Sequence, residues 1–245
     1  VASRLSDNAR MRAPLAWAKD HGIPLSAFLM GPKGLASRCL QGVWGGTFTY
    51  AAPDDGPPAA PGQLPYSLLH GWRLHRLHGG CSLCGVLGEP VFHSLGPAFH
   101  NARFQRNFKD LLYLPLQTGD PEEACEALDS LSILGASLTA PLKASLPLRL
   151  GLRGPLNTLW RRAADQPWQG ANTDAEALER ALGGRPKGTV LLLGDGGVAA
   201  TSRACLERLG FECLQVSRRR APDPAAILSA APTGVIQATS LGMEA

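Results

Sequence analysis

A glycine-rich run in the last third of the chain has the spacing of a dinucleotide-binding loop. Gly194-Asp195-Gly196-Gly197-Val198-Ala199 reads G-x-G-x-x-A and follows the apolar stretch 189–193. Glycines let the backbone turn tightly and approach a pyrophosphate, whose charge lies at the N-terminus of the following helix. A strand before the loop and a helix over 200–209 provide the context that separates this motif from a chance match. The pattern predicts a cofactor site that contains Gly194, Gly196, Gly197 and Ala199.

The residues after the next apolar stretch indicate which dinucleotide this loop would bind. In NAD-selective folds an acidic side chain at the end of the second strand binds the ribose hydroxyls. This chain instead has Ser217-Arg218-Arg219-Arg220 after the strand predicted over 212–216. Because guanidinium groups favour a 2′-phosphate, the run predicts NADP in preference to NAD. Asp195 would oppose the phosphate charge unless its side chain points away.

A second candidate for chemistry is Cys81-x-x-Cys84, a spacing found in zinc and redox sites. A zinc site needs four ligands, and no second Cys pair accompanies this one. The alternative is a buried strand over 81–87 in which the thiols act as small apolar groups. We expect the strand, and no metal site.

Strands and helices must position these loops, and the apolar pattern predicts both. In the first third of the chain, helices are predicted over 7–20, 34–44 and 63–78, with strands at 25–30 and 47–51. In the last third, strands are predicted at 189–193, 212–216 and 234–238. Short apolar strands that alternate with helices indicate parallel pairing in an α/β architecture.

The composition excludes several classes of protein. The 245 residues are 44% hydrophobic and 18% charged, with a net charge of +4, as in a globular protein. The basic excess is too small and too scattered for a nucleic-acid groove. No apolar stretch approaches the roughly 18 residues of a membrane helix, and residues 1–25 lack the layout of a signal peptide. We therefore expect a cytoplasmic protein with neither nucleic-acid nor membrane partners.

The first third of the chain resembles a known enzyme family. Met30-Gly31-x-x-Gly34-x-x-Ser37-Arg38, then Thr47-Phe48-Thr49-Tyr50-Ala51 and Ala60-Pro61-Gly62-Gln63, resemble the last strands and loops of type I 3-dehydroquinate dehydratase, a (β/α)8 barrel. The resemblance implies that Arg38 binds the carboxylate of 3-dehydroquinate and Gln63 a ring hydroxyl. The alternative for Arg38 is a solvated helix residue. The Schiff-base Lys and the general-base His of that family belong to earlier strands, so we expect a truncated lyase portion.

From residue 83 onward the chain resembles shikimate dehydrogenase. Five motifs carry the resemblance in order, at 88–101, 135–143, 154–159, 170–174 and 235–243. They imply an oxidoreductase that reversibly reduces 3-dehydroshikimate to shikimate with NADPH. Lys143 would stabilise the developing oxyanion and supply the proton, and Asp174 would orient that Lys and tune its pKa.

The same resemblance implies the rest of the site. Ser94, Thr139 and Asn157 would hydrogen-bond the substrate. Thr239 and Met243 would lie beside the nicotinamide. Together with Ser217, Arg218 and Arg219 of the arginine run and the residues of the glycine loop, they complete the predicted cofactor site.

Three residues depart from the shikimate dehydrogenase pattern inside this pocket. Gly96 replaces a Ser whose hydroxyl typically holds the substrate carboxylate, Ser137 replaces an Asn, and Leu142 replaces the common His or Phe. The departures imply a weakened enzyme, a different cyclic acid such as quinate, or compensation elsewhere. Quinate dehydrogenase and a non-catalytic dinucleotide-binding remnant are therefore the alternatives.

We thus expect an α/β chain in three parts. Residues 1–80 would be the C-terminal part of the dehydratase barrel, 81–165 a substrate-binding domain, and 166–245 a partial Rossmann-like NADP-binding domain. The chain reads as a fragment of a bifunctional shikimate-pathway protein, with small-molecule substrates as its partners. Its assembly is left open between a monomer and a homodimer.

Overall fold

The computed structural model describes residues 1–77, 79–219 and 222–239. It divides into two compact units, Val1–Gly170 and Ala171–Ala245. The first unit opens with short helices: a 3₁₀ helix at Leu5–Met11, α1 (Arg12–Asp20), a 3₁₀ turn at Pro32–Gly34, α2 (Leu35–Leu40), α3 (Tyr66–Gly71) and a 3₁₀ turn at Leu74–Arg76.

The helix predicted over 7–20 is confirmed, although its first part is 3₁₀. The carboxylate of Asp7 accepts hydrogen bonds from the backbone N–H groups of Ser3 and Arg4, both at 2.9 Å, and so satisfies donors that the first turn leaves open. Leu15 and Ala18 are fully buried on the inner face of α1. The helices predicted over 34–44 and 63–78 are shorter than expected and are limited to α2 and α3 with their flanking turns.

The strands predicted at 25–30 and 47–51 are wrong for the described chain, because neither segment is part of a sheet. The segments touch through one backbone hydrogen bond, from Thr47 N–H to the carbonyl of Leu25 at 2.9 Å. Phe48 and Tyr50, which a barrel would cover on at least one side, are each 52% exposed. An apolar run becomes a strand only where neighbouring backbone pairs with it, and among the described residues such a ladder is lacking here.

A five-stranded sheet forms the centre of the first unit. Its elements are β1 (Ser82–Gly88), α4 (Gly96–Arg106), β2 (Leu111–Gln117), α5 (Pro121–Ser130), β3 (Ile133–Leu138), α6 (Leu142–Arg149), β4 (Thr158–Trp160) and β5 (Gln169–Ala171). The strand order is β2-β1-β3-β4-β5; β1 pairs in parallel with β2 and β3, and β3 is antiparallel to β4. The strand predicted over 81–87 is confirmed to within one residue at each end.

One apolar core joins the early helices to this sheet. The strands are Leu-rich because both faces of the central pair are covered, as is usual for parallel strands. Helix α5 is placed by its N-cap, where the Asp120 carboxylate accepts from Glu122 N–H at 2.9 Å ahead of Pro121. The large side chains of this core are Leu5, Leu35, Leu40, Leu69, Trp72, Leu83, Leu87, Leu112, Leu114, Leu116, Leu128, Leu131, Ile133, Leu138, Leu142, Leu146 and Leu159.

The second unit is a small parallel α/β layer. It contains α7 (Thr173–Leu182), β6 (Thr189–Leu193), α8 (Gly197–Arg208), β7 (Glu212–Val216), α9 (Pro224–Ser229) and β8 (Gly234–Gln237). The central strand β6 pairs in parallel with β7 and β8. The three predicted strands are confirmed, and α8 begins three residues before the predicted helix. Val190, Leu206 and Phe211 form its core.

Candidate functional site

In the first unit, the parallel strands β1, β2 and β3 end at the same edge of the sheet, so the loops that follow them lie close together. Thr139 N–H donates to the carbonyl of Leu87 at 2.9 Å, and Thr118 N–H donates to that of Gly88 at 3.0 Å. Gly88 has φ +153°, and a Cβ there would lie 2.3 Å from Cγ2 of Thr139. Only glycine therefore allows the ends of β1 and β3 to approach this closely.

Four of the predicted substrate and catalytic residues lie along this edge. Ser94 follows β1, and its Oγ accepts from Gly96 N–H at 3.1 Å. Thr139 directly follows β3, and Lys143 is the second residue of α6, half-buried. The carbonyl of Asn157, just before β4, accepts from Leu138 N–H at 2.8 Å. The structure thus brings hydroxyl, amide and ammonium groups to one edge of one sheet, a set suited to a small polar acid.

Arg38 lies elsewhere in the first unit, and the solvated alternative for it is wrong. The residue is 2% exposed, and its guanidinium lies over the ring of Phe28 at 4.2 Å. Nη1 donates one long hydrogen bond, 3.4 Å, to the carbonyl of Tyr50, while buried Nη2 has no hydrogen-bond partner among the described residues. Burial lowers the pKa of Arg38. A buried cation with an unused donor is a group that an anion would satisfy.

Gln63, the other residue that the dehydratase resemblance singles out, takes part in its own turn. Its Oε1 accepts from Ala60 N–H at 3.2 Å, and its backbone N–H donates to the carbonyl of Ala60 at 3.2 Å. The side-chain hydrogen bond of Gln63 thus lies within 60–63, whereas the guanidinium of Arg38 contacts Phe28 and Tyr50.

The Cys81 and Cys84 side chains are free thiols; Cys84 lies on β1 and Cys81 directly precedes it. Burial, reinforced by Asp110, raises the pKa of Cys81 to about 12, and burial raises that of Cys84 to about 11. Thiols with such pKa values stay protonated at neutral pH, which does not suit nucleophilic chemistry. Within the described residues, no three His, Cys, Asp or Glu side chains cluster as a metal would need.

The second unit contains a cleft of about 600 Å³ at the carboxyl edge of its parallel sheet. Six of the nine predicted cofactor residues line it. They are Gly194, Gly196, Ser217, Arg218, Arg219 and Thr239. Gln237, the last residue of β8, also lines the cleft and was missed, although its place at the end of a predicted strand could have indicated it. Its Oε1 accepts from the Thr239 hydroxyl at 3.0 Å.

The backbone that lines this cleft at residues 194–197 requires glycine at one position and is left uncovered by glycine at two others. Gly194 has φ +116°, and a Cβ there would lie 2.5 Å from the carbonyl oxygen of Ala238. Gly196 and Gly197 instead face open space, because a Cβ at either position would have no neighbouring atom within 4 Å. Both are exposed at the N-terminus of α8, so a phosphate could approach their N–H groups closely. Arg218 and Arg219 are also exposed, and they put positive charge beside the cleft.

The remaining predicted residues have separate places. Ala199 is a fully buried residue in the first turn of α8, where a larger side chain would push the helix away from the sheet. Asp174 is half-buried in the first turn of α7. Met243 and Arg220 lie outside the described residues.

No helix in the described ranges has the length and apolar character to cross a bilayer.

Two family models match the chain. Residues 1–72 match the type I 3-dehydroquinase family, and residues 86–148 match the shikimate dehydrogenase substrate binding domain. The two matches fall on the segments whose motifs resembled those families.

Two solved structures of shikimate dehydrogenases share the fold of about two thirds of this chain. The Aquifex aeolicus enzyme is 24% identical with a TM-score of 0.57, over 69% of this chain and 72% of that one. The Thermus thermophilus enzyme, solved with shikimate, is 28% identical with a TM-score of 0.50, over 66% and 70%. The dehydroquinate dehydratase and shikimate dehydrogenase of S. pombe is 23% identical with a TM-score of 0.44, over 97% of this chain and 48% of that one.

Proposed function

Because the chain joins a segment of the type I 3-dehydroquinase family to a shikimate dehydrogenase domain, we propose that it binds NADP and catalyses the reversible reduction of 3-dehydroshikimate to shikimate. The observation that carries the proposal is the cleft of about 600 Å³ in the second unit, which is lined by Gly194 and Gly196 and by Arg218 and Arg219. A glycine-floored cleft at the carboxyl edge of a parallel sheet is the usual place for a dinucleotide.

The residues of the cleft fit a dinucleotide phosphate. Gly194 is required by the close approach of Ala238, and the open space at Gly196 and Gly197 leaves room for a pyrophosphate against the N-terminus of α8. Arg218 and Arg219 would hold a 2′-phosphate through charged hydrogen bonds. Shikimate dehydrogenases from other sources have been solved with NADP+ and with NAD, which supports a dinucleotide in this cleft, and the preference for NADP rests on Arg218 and Arg219. When bound, the nicotinamide supplies the hydride.

The side chains at the edge of the first sheet would bind and orient the substrate. Ser94, Thr139 and Asn157 offer hydrogen bonds to its hydroxyl and carboxylate groups. Lys143 offers an ammonium group that stabilises negative charge on the ketone oxygen and donates a proton to it. We assign to Asp174 the task of orienting that ammonium group and holding its pKa in the working range.

Arg38 supports a role for the dehydroquinase-family segment as well. Its buried guanidinium with one unpartnered nitrogen suits a carboxylate of 3-dehydroquinate, and Gln63 is proposed to bind a ring hydroxyl. The general base and Schiff-base lysine that the dehydratase reaction requires have no counterpart that we assign in this chain.

Binding of NADPH tests the proposal directly, by titration of the whole chain with NADPH and with NADH. We expect NADPH to bind more tightly, and Arg218→Ala with Arg219→Ala to weaken NADPH at least tenfold while leaving NADH nearly unchanged. Arg180→Ala is the matched control, since Arg180 is an exposed arginine of the same unit that pairs with Glu176 on α7. Equal affinity for the two dinucleotides in the native chain would refute the NADP assignment.

Activity separates the dehydrogenase from a non-catalytic remnant. NADPH oxidation is followed with 3-dehydroshikimate, and we expect Lys143→Met and Asp174→Asn to abolish it while NADPH binding persists. If either variant reduces the ketone at the native rate, the catalytic assignment fails. Native NADPH binding without turnover would favour the remnant.

Quinate is the second candidate substrate, and a specific feature favours testing it. Gly96 lacks the hydroxyl that the family pattern has at this position, so the contact to the acid group is altered. The ratio of kcat/KM for shikimate and quinate in the oxidative direction decides between the two. The cytoplasmic location and the homodimer remain predictions.

A further inference from the structure

Tyr113 lies beside the position where the shikimate dehydrogenase pattern loses a hydroxyl. A Cβ on Gly96 would lie 3.2 Å from Cε1 of Tyr113, 3.5 Å from its hydroxyl oxygen and 3.2 Å from Oγ of Ser94. A side chain at residue 96 would therefore press on both neighbours. The hydroxyl of Tyr113 and that of Ser94 face the same point, at the first residue of α4.

The tyrosine is held firmly in this position. Its ring stacks on His100 with centroids 4.4 Å apart, and its backbone exchanges two hydrogen bonds with the side chain of Asn101, at 2.8 and 2.9 Å. Its hydroxyl hydrogen-bonds to Ser137, and burial raises its pKa to about 12. The group is thus a neutral hydroxyl at physiological pH, able to donate a hydrogen bond.

Two departures from the family pattern therefore meet at one residue. Gly96 makes room for the tyrosine ring, and Ser137, which stands where the pattern has Asn, bonds its hydroxyl. Gly96 removes a polar side chain from the substrate edge and Ser137 shortens one, and together they admit and fix another polar group. A buried hydroxyl beside Ser94 would supply the donor that a carboxylate requires.

We propose that Tyr113 is a substrate-binding and specificity-determining residue, whose hydroxyl takes over the carboxylate contact that a side chain at residue 96 would otherwise make. This inference rests on the proposed dehydrogenase function. It assigns the ligand as the carboxylate of a cyclic hydroxy acid, held between Tyr113 and Ser94.

The test measures shikimate affinity of the whole chain by calorimetry for the native protein and for Tyr113→Phe. We expect Tyr113→Phe to weaken binding about tenfold to a hundredfold, the range for a lost hydrogen bond to a charged group. Tyr66→Phe, at an exposed tyrosine on α3, is the matched control and should leave the affinity unchanged. The methyl ester of shikimate has no carboxylate charge. The substitution Tyr113→Phe should therefore weaken binding of the ester less than it weakens binding of shikimate itself.

Two further variants distinguish ligand contact from a purely structural role. Ser137→Ala removes the side-chain hydrogen bond to the tyrosine hydroxyl and keeps both the hydroxyl and its bond with the backbone of residue 137, so it should cost less shikimate affinity than Tyr113→Phe. Gly96→Ser should weaken binding in the native background, because the new side chain would press on the tyrosine ring. In the Tyr113→Phe background it should restore part of the affinity, because the serine hydroxyl can replace the missing tyrosine hydroxyl.

The outcomes separate the two proposals. If the native chain binds neither shikimate nor quinate, the dehydrogenase assignment fails and this inference falls with it. If the native chain binds shikimate and Tyr113→Phe binds it equally well, only the role of Tyr113 is overturned. An equal loss in Ser137→Ala and Tyr113→Phe would likewise overturn it, in favour of a structural hydrogen bond.

Discussion

Glu123 offers the sharpest test of how the dehydroquinase-family segment is held on the sheet of the first unit. Its side chain is 6% exposed at the start of α5, and its carboxylate accepts from Lys33 Nζ at 2.7 and 2.9 Å, from Leu5 N–H at 2.9 Å and from Thr118 Oγ1 at 2.8 Å. Lys33 and Leu5 belong to the early helical segment. Glu123→Gln keeps the shape of the side chain but replaces one carboxylate oxygen with an amide NH2 group. That group is a donor, and it would face the donors of Lys33, Leu5 or Thr118.

The size of the effect follows from burial. Removing one partner of a fully buried ion pair costs about 3–5 kcal/mol, because it leaves a charge uncompensated. The Lys33 side chain is 34% exposed, so solvent compensates part of its charge. We therefore expect Glu123→Gln to lower the free energy of unfolding of the first unit by about 2 kcal/mol, or a Tm shift of roughly 4–8 °C.

The assay is urea unfolding followed by tryptophan fluorescence, with Glu126→Gln as the control. Glu126 lies on the same helix, is 46% exposed and pairs with Arg4 at 3.0 Å. Exposed pairs contribute about 0–1 kcal/mol, so the control should unfold close to the native chain. If the two variants have equal stability, the argument that Glu123 holds the early helical segment on the sheet is refuted.

The pH dependence supplies an independent check of the same contact. Burial alone would raise the pKa of Glu123, but the bonds from Lys33, Leu5 and Thr118 outweigh it and lower the pKa below 4.5. The stabilisation from a lowered pKa is complete above the unfolded value and is lost as the pH falls through the folded one. The native chain and Glu123→Gln should therefore differ most in stability above the unfolded pKa of Glu123, and the difference should shrink as the pH falls through the lower, folded pKa.

Three further predictions address other parts of the chain. Gly194→Ala should destabilise the second unit by at least about 2 kcal/mol in thermal unfolding and abolish NADPH binding, because its Cβ would meet Ala238 and the backbone has positive φ. Cys84 should resist iodoacetamide at neutral pH until the chain unfolds, as mass spectrometry of the labelled peptide would detect, since burial holds its pKa at about 11. Arg38→Met should raise stability to urea by about 1 kcal/mol, because it removes a buried cation with an unpartnered nitrogen; a loss of stability would mean that contact with the ring of Phe28 dominates.

The second unit could be predicted from the sequence because its signals are local. The strand at 189–193, its glycine loop and the helix that follows adjoin one another, and each confirms the next. Parallel pairing then fixes which loops share an edge, so Ser217 could be assigned to the cleft from the position of its strand, whereas Thr239 was assigned from the family resemblance of the motif at 235–243.

The early segment could not be predicted in the same way, because its outcome depends on distant partners. Phe28 and Tyr50 lie on apolar runs with the composition of strands, but whether such a run enters a sheet depends on backbone elsewhere in the chain. The roles of Glu123 and Tyr113 were missed for a related reason. Each looks ordinary in its own helix or strand, and only the tertiary contacts with Lys33 and with Gly96 distinguish it.

The shared core changes how the two family segments should be studied. The family matches end at residue 72 and resume at residue 86, yet Leu35, Leu40 and Trp72 bury against the same cluster as Leu112 of the sheet. Removing the early segment would expose that cluster to water at about 25 cal/mol per Å², and would leave the carboxylate of Glu123 with only its bond from Thr118. A dehydrogenase fragment that starts at the second family boundary would therefore lose stability for reasons unrelated to catalysis, and substrate affinities are meaningful only when measured on the whole chain.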